Sequence, residues 1–244
     1  MAEKFPGRVQ TIRKFVTEQV SIPWLVQDLL PAVGWTLLVG QKGIGKTTFA
    51  LQMCLSLQEG LPFLGRKTKQ TKILFVQVDS VELEWREILR RIAPQSMGWT
   101  LVGAPTNCLD NPSYVSSLAN LISKVDPGYI VFDSLYRLSR QDINNTRVLQ
   151  TLDQLSLLCG TVPWMLIHHP PHGESRAAGS NSIGATCSNE WNLLKMRLNI
   201  DKGRLVKEKG IPLTRDEDGL WIVKTDAVDI NVSASTDIMN VRLV

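Results

Sequence analysis

The sequence predicts an α/β fold: a parallel sheet core flanked by helices, with antiparallel strands appended on its C-terminal side. Three observations predict it. An apolar run, a glycine-rich nonapeptide and an apolar helical stretch follow one another over residues 35–57. Strand-like and helix-like segments then alternate as far as residue 167, the pattern of right-handed crossovers between parallel strands. After residue 187 the rhythm becomes strand, turn, strand, with Asp and Gly in the turns.

The chain has 244 residues, 43% hydrophobic and 20% charged, enough for one large domain with a sizeable core. Its net charge of +4 is compatible with a nucleic-acid partner without requiring one. Cys54, Cys108, Cys159 and Cys187 are too far apart for a metal knuckle and form no disulfide framework. That usage suits a reducing, cytoplasmic setting. The N-terminal residues have no apolar signal core, and no run approaches membrane-spanning length, so no membrane partner is expected.

Residues 1–34 read as an N-terminal arm, 35–224 as the core and 225–244 as a tail. In the arm, residues 9–20 suit a short amphipathic helix with Val9, Ile12, Phe15 and Val16 on one side. Trp24, Leu25, Val26, Leu29 and Leu30, between Pro23 and Pro31, are apolar enough to pack on the domain. Such an arm either covers a sheet edge or docks a neighbouring subunit.

In the core, residues 35–39, 72–78, 99–102, 129–132 and 162–167 read as strands. Helices are expected after residue 79 through 92, over 112–124, and over 147–158. Beyond residue 187, segments 191–200 and 204–208 flank Asp201-Lys202-Gly203, a hairpin-type turn. A second turn, Asp216-Glu217-Asp218-Gly219, leads into residues 220–223. The tail has weak strand character at residues 228–232.

The nonapeptide is Gly40-Gln41-Lys42-Gly43-Ile44-Gly45-Lys46-Thr47-Thr48. It matches the phosphate-loop pattern, Gly, four residues, Gly-Lys-Thr, and it stands between a strand and a helix as the chemistry requires. Glycines let backbone N–H groups close around a phosphate, and the helix points its positive end at the anion. Lys46 is the candidate to reach the β- and γ-phosphates, and the Thr47 hydroxyl to ligate Mg²⁺. The expected ligands are therefore ATP and Mg²⁺. Tyr129-Ile130-Val131-Phe132-Asp133 is a run of β formers ending in an acid. A buried strand in an open α/β sheet delivers such an acid beside the phosphate loop, which makes Asp133 the second metal ligand.

With these motifs the chain resembles the RecA-like ATPases, and within them the RepA-like group near the hexameric replicative helicases. The resemblance covers roughly residues 20–224. It is carried by Ile22-Pro23-Trp24-Leu25-Val26 before the loop, by Asp133-Ser134-Leu135, by Leu166-Ile167-His168-His169, and by Gly179-Ser180-Asn181-Ser182-Ile183. It implies a homo-oligomer, a ring (hexameric in the closest group) or a filament, with ATP between subunits.

The resemblance also supplies roles. The family's catalytic Glu ends the strand after the phosphate-loop helix, where this chain has Asp79. An Asp is one methylene shorter, a setback on the order of 1 Å that can cost about 100-fold in rate. Hydrolysis is therefore expected to be slow unless a partner completes the site. Glu82 and Glu84 are fallbacks for the same role. One of His168 and His169 is the γ-phosphate sensor and the other is core, since adjacent strand residues face opposite ways; His168 is the assigned candidate. Lys207 and Lys209 resemble a Lys-x-Lys pair offered to the neighbour's γ-phosphate, projecting from one side of a strand. For the base, Arg90 and Arg91 stand roughly where relatives stack a guanidinium on adenine, with Arg91 the assigned candidate; Trp85 is another option or, at helical spacing from Ile88, a core residue.

Two loops, 134–145 with Arg137 and Arg140, and 169–187 with Arg176, correspond to those that line the family's channel for single-stranded DNA. Their cations and small flexible donors suit a phosphate backbone. The implied activity is a DNA-acting ATPase, either a helicase motor or a recombination or replication accessory. The alternatives are a regulatory ATPase acting on a protein partner, or a degenerate subunit that needs a complete one.

Overall fold

A computed structural model describes residues 10–17, 21–92, 98–101, 108–139, 148–169 and 180–224. The described chain begins with α1 (Ile12–Thr17), followed by a two-stranded ribbon of β1 (Trp24–Val26) and β2 (Leu30–Pro31). The core runs β3 (Trp35–Val39), α2 (Lys46–Glu59), β4 (Ile73–Gln77), α3 (Glu82–Ile92), β5 (Trp99–Leu101), α4 (Pro112–Val125) and β6 (Tyr129–Asp133). After β6 come α5 (Leu135–Leu138), α6 (Val148–Cys159), β7 (Trp164–His168) and α7 (Ser180–Thr186). Four strands close the described chain: β8 (Asn189–Leu194), β9 (Arg197–Gly203), β10 (Gly210–Arg215) and β11 (Trp221–Val223).

Among the described residues a nine-stranded sheet runs β11-β10-β9-β8-β3-β7-β6-β4-β5. From β8 to β5 all neighbours are parallel. From β8 outward to β11 they are antiparallel. Both faces of the central parallel strands β3, β4, β6 and β7 are buried, so these strands are mostly apolar and their side chains alternate between two cores. Leu38, Phe75, Val131 and Ile167 join α2 and α3 on one face. Leu37, Leu74, Phe132 and Leu166 join α4 and α6 on the other. Local chemistry sets the helix ends. Gly60, at φ 69°, closes α2, and Asn111 caps α4 by accepting from the N–H of Ser113 (3.0 Å) just ahead of Pro112.

Several expectations change. Leu25, Val26, Leu29 and Leu30 of the arm pack into the core as expected, and the difference lies in α1, whose Ile12, Phe15 and Val16 are exposed. The first hairpin after residue 187 turns at Lys195-Met196, not at Asp201-Lys202-Gly203, which lies at the end of β9. Burial decides this register: Trp191 and Leu193 on β8 and Leu198 and Ile200 on β9 all enter one core, so the chain must reverse between them. Residues 204–209 consequently form a connection and not a strand. Residues 180–186, expected in a loop, form α7. Trp85 is a core residue, packed on Phe75 and donating its indole N–H to Thr100 Oγ1 at 2.9 Å. The strand character expected at residues 228–232, and the tail as a whole, lie outside the described residues.

Candidate phosphate-binding site

The glycine loop joins the C-terminal end of β3 to the first turn of α2. Gly43 (φ 79°) and Gly45 (φ 98°) take left-handed conformations that side chains resist. Gly40 is packed so closely that a Cβ there would stand 2.7 Å from the Leu193 carbonyl oxygen. Lys46 folds back into the loop, its ammonium donating to the carbonyls of Gly40 (2.6 Å) and Gln41 (2.9 Å). Burial lowers its pKa from 10.5 to about 8, against the opposing pull of Asp133 and Asp79.

Asp133 ends β6, one strand removed from β3, and is 1% exposed. Its Oδ2 accepts from the Thr47 hydroxyl at 2.7 Å and from Gln77 Nε2 at 3.0 Å. Its Oδ1 is buried with no hydrogen-bond partner. Burial pushes the carboxyl up, with the Thr47 and Gln77 bonds working against that rise. A buried carboxylate oxygen without a donor, beside a hydroxyl, is a hard-oxygen pair of the kind Mg²⁺ takes, so these residues fit the ion.

Gln77 was not foreseen as part of this site. Fully buried at the end of β4, it donates to Asp133 and its Oε1 accepts the backbone N–H of Asp79 (2.7 Å) and Ser80 (3.2 Å). It therefore ties the two acid-bearing strand ends together. The one available signal was a polar residue inside Leu74-Phe75-Val76-Gln77-Val78.

Asp79 stands just past β4, partly exposed, with Arg137 Nε at 3.4 Å from Oδ1 and His169 Nε2 at 3.6 Å from Oδ2. His169 lowers its carboxyl pKa below the ordinary value, against the upward push of partial burial, and Arg137 adds to the lowering. Asp79, Asp133 and His169 each bring one potential ligand atom within 4.8 Å of the others. The imidazole facing Asp79 is thus His169, while His168 is fully buried beside Val39 in the sheet.

The remaining candidates are spread more widely. Glu82 pairs with Arg86 (2.6 Å) on the outer face of α3, and Glu84 and Arg91 are exposed on the same helix. Lys207 and Lys209 are exposed on the 204–209 connection, so strand alternation does not align them. Glu208 between them pairs with Arg66, in a groove lined by Trp24 and Lys207 and by no phosphate-loop residue. Arg140 and Arg176 lie outside the described residues.

A loop at the mouth of a parallel sheet, with an acid one strand away, defines a RecA-like P-loop ATPase. The chain belongs to the AAA domain family (AAA_25), whose model matches residues 3–175. No curated protein matches it by sequence. Among solved structures it is similar to a KaiC-like protein from the hyperthermophilic archaeon Pyrococcus horikoshii OT3. The two share 18% identity and a TM-score of 0.58 over 82% of this chain and 94% of that one, a likeness of fold. Among the described residues no helix is long and apolar enough to cross a membrane.

Proposed function

We propose that the chain binds ATP with Mg²⁺ at the phosphate loop and hydrolyses it slowly until single-stranded DNA engages the segment after β6. One observation carries this reading: the 3.4 Å contact between Asp79 and Arg137. It links the candidate water-orienting carboxylate to a cation on a segment that, by resemblance, grips DNA.

Each residue then has a task. The Lys46 ammonium exchanges the Gly40 and Gln41 carbonyls for phosphate oxygens. Thr47 and Asp133 hold Mg²⁺, which when bound neutralises phosphate charge. Asp79 accepts a hydrogen bond from the attacking water and orients it. While Arg137 and His169 hold that carboxylate, it is a poor acceptor. Transfer of the Arg137 guanidinium to a DNA phosphate frees an oxygen for the water. Arg140 and Arg176 add phosphate contacts, His168 supports the sensor role from within the sheet, and Arg91 supplies the base contact. Lys207 and Lys209 reach toward a neighbouring subunit's γ-phosphate in a ring or filament.

The test is the ATPase rate with and without single-stranded DNA, alongside Lys46→Ala as the inactive control. Stimulation that weakens with salt supports the proposal. Arg137→Ala should raise the DNA-free rate a few-fold, on the order of the cost of one exposed ion pair, and abolish stimulation.

A second reading, a regulatory ATPase with a protein partner, has its own observation. Val81 (63% exposed) and Leu83 (69%) follow Asp79 by two and four residues, and Tyr136 (66%) immediately precedes Arg137. An apolar rim of this kind suits a protein surface better than phosphates. Indifference of the ATPase to DNA, with stimulation by self-assembly or a protein, selects that reading.

A further inference from the structure

The phosphate loop is also held from its other side, by residues no motif points to. Arg215 ends β10 and Trp221 begins β11, and the two are paired across the hairpin. The turn between them is tightly built. Asp216 Oδ1 accepts the N–H groups of Asp218 (3.1 Å) and Leu220 (2.8 Å), and Gly219 is left-handed at φ 77°. The hairpin is anchored to α2 by a reciprocal pair. Gln52 Nε2 donates to the Trp221 carbonyl (2.8 Å), and Gln52 Oε1 accepts the Trp221 N–H (2.9 Å).

From that anchored base the Arg215 guanidinium lies 4.4 Å over the Trp221 ring. Its Nη1 donates to the Gly219 carbonyl at 3.0 Å and its Nη2 to the Ile44 carbonyl, inside the phosphate loop, at 2.7 Å. The Trp221 indole N–H adds a longer contact, 3.4 Å, to the carbonyl of Gly45, which also accepts the Phe49 N–H at 2.9 Å. In a trans peptide the C=O and the following N–H point in opposite directions. Holding the carbonyls of residues 44 and 45 toward the hairpin and α2 therefore turns the N–H groups of Gly45 and Lys46 away from them. A Cβ on Gly45 would run into the Arg215 guanidinium, so the glycine serves this contact as well as its own backbone angle.

We propose that Arg215 is a positioning residue for nucleotide binding, which pre-sets the phosphate-loop amides by gripping the Ile44 carbonyl, with Trp221 as its platform. This rests on the reading of the loop as a triphosphate site. Preorganised donors bind without an ordering cost at the moment of binding, so the effect falls mainly on affinity.

The experiment is equilibrium titration of the full chain with a fluorescent ATP analogue and Mg²⁺, for wild type, Arg215→Ala, Arg215→Lys and Lys46→Ala. Steady-state kinetics and melting curves of the nucleotide-free proteins accompany it. Arg215→Ala should weaken Kd about tenfold or more, as loss of a charged hydrogen bond does, with the larger part of the kinetic effect in KM. Arg215→Lys, which keeps a cation but not the two-pronged fork, should lie between it and wild type. A lower melting point with Kd within twofold of wild type would assign Arg215 a purely structural part and overturn the proposal. If the Ala variant does not fold, a Lys variant equal to wild type overturns it too. Wild type binding no better than Lys46→Ala overturns the triphosphate reading itself. Wild-type binding with Arg215→Ala equal to it overturns this inference alone.

Discussion

The two flanks of the phosphate loop are built on different terms. On one flank, the ends of parallel strands β4, β6 and β7 present Asp79, Gln77, Asp133 and the adjoining His169. Asp133 carries an oxygen with no hydrogen-bond partner, and Asp79 meets Arg137 and His169 at 3.4 and 3.6 Å, contacts that are easily exchanged. On the other flank, the antiparallel hairpin of β10 and β11 presents a planar, forked guanidinium, seated on a buried ring and tied to α2 through Gln52. The first flank is suited to change partners during a turnover, and the second to stay in place. Parallel strand ends leave polar groups converging at one mouth, whereas a hairpin satisfies its own backbone and can serve as a fixed brace.

The largest expected effect breaks both flanks at once. Lys46→Ala should weaken nucleotide affinity about 100-fold or more in a fluorescence titration, as expected when a charge-assisted phosphate contact is lost. Asp79→Ala isolates the exchangeable flank: kcat should drop about 100-fold while the nucleotide Kd stays within about threefold. An unchanged rate would remove Asp79 from water orientation.

A smaller effect separates the flanks by pH. The Lys46 ammonium, with its pKa lowered to about 8, is charged below that pH and lost above it. Affinity should therefore be full at pH 7 and weaker by on the order of tenfold at pH 9, since two pH units span the titration. Burial, Asp133 and Asp79 set the Lys46 value and Arg215 does not, so Arg215→Ala should show the same fold-change between the two pH values. The smallest effect sharpens the brace. Trp221→Phe keeps an aromatic platform and loses only the 3.4 Å indole contact, so Kd should weaken by about threefold or less. A larger loss would make Trp221, and not Arg215, the principal grip.

Much of the fold could be read from residues in order. The loop, the strand before it and the helix after it follow from glycine positions and hydrophobic spacing, and the apolar run ending in Asp133 follows from a strand buried on both faces. The site was legible only where a motif is contiguous. Which of His168 and His169 faces Asp79 depends on where β7 ends against its neighbours. The turn at Asp201-Lys202-Gly203 had suitable residues but the wrong burial, and packing of Trp191 and Leu198 moved the reversal to Lys195-Met196.

The sequence by itself determined that a strand, a glycine loop and a helix would form in succession, because backbone angles and hydrophobic period are properties of neighbouring residues. Only the tertiary structure decided that Gln77 joins two acids 54 residues apart and that Arg215 grips a carbonyl 171 positions earlier. Contacts at such separations depend on strand order and register, which arise from how whole faces bury one another and leave no mark in local spacing.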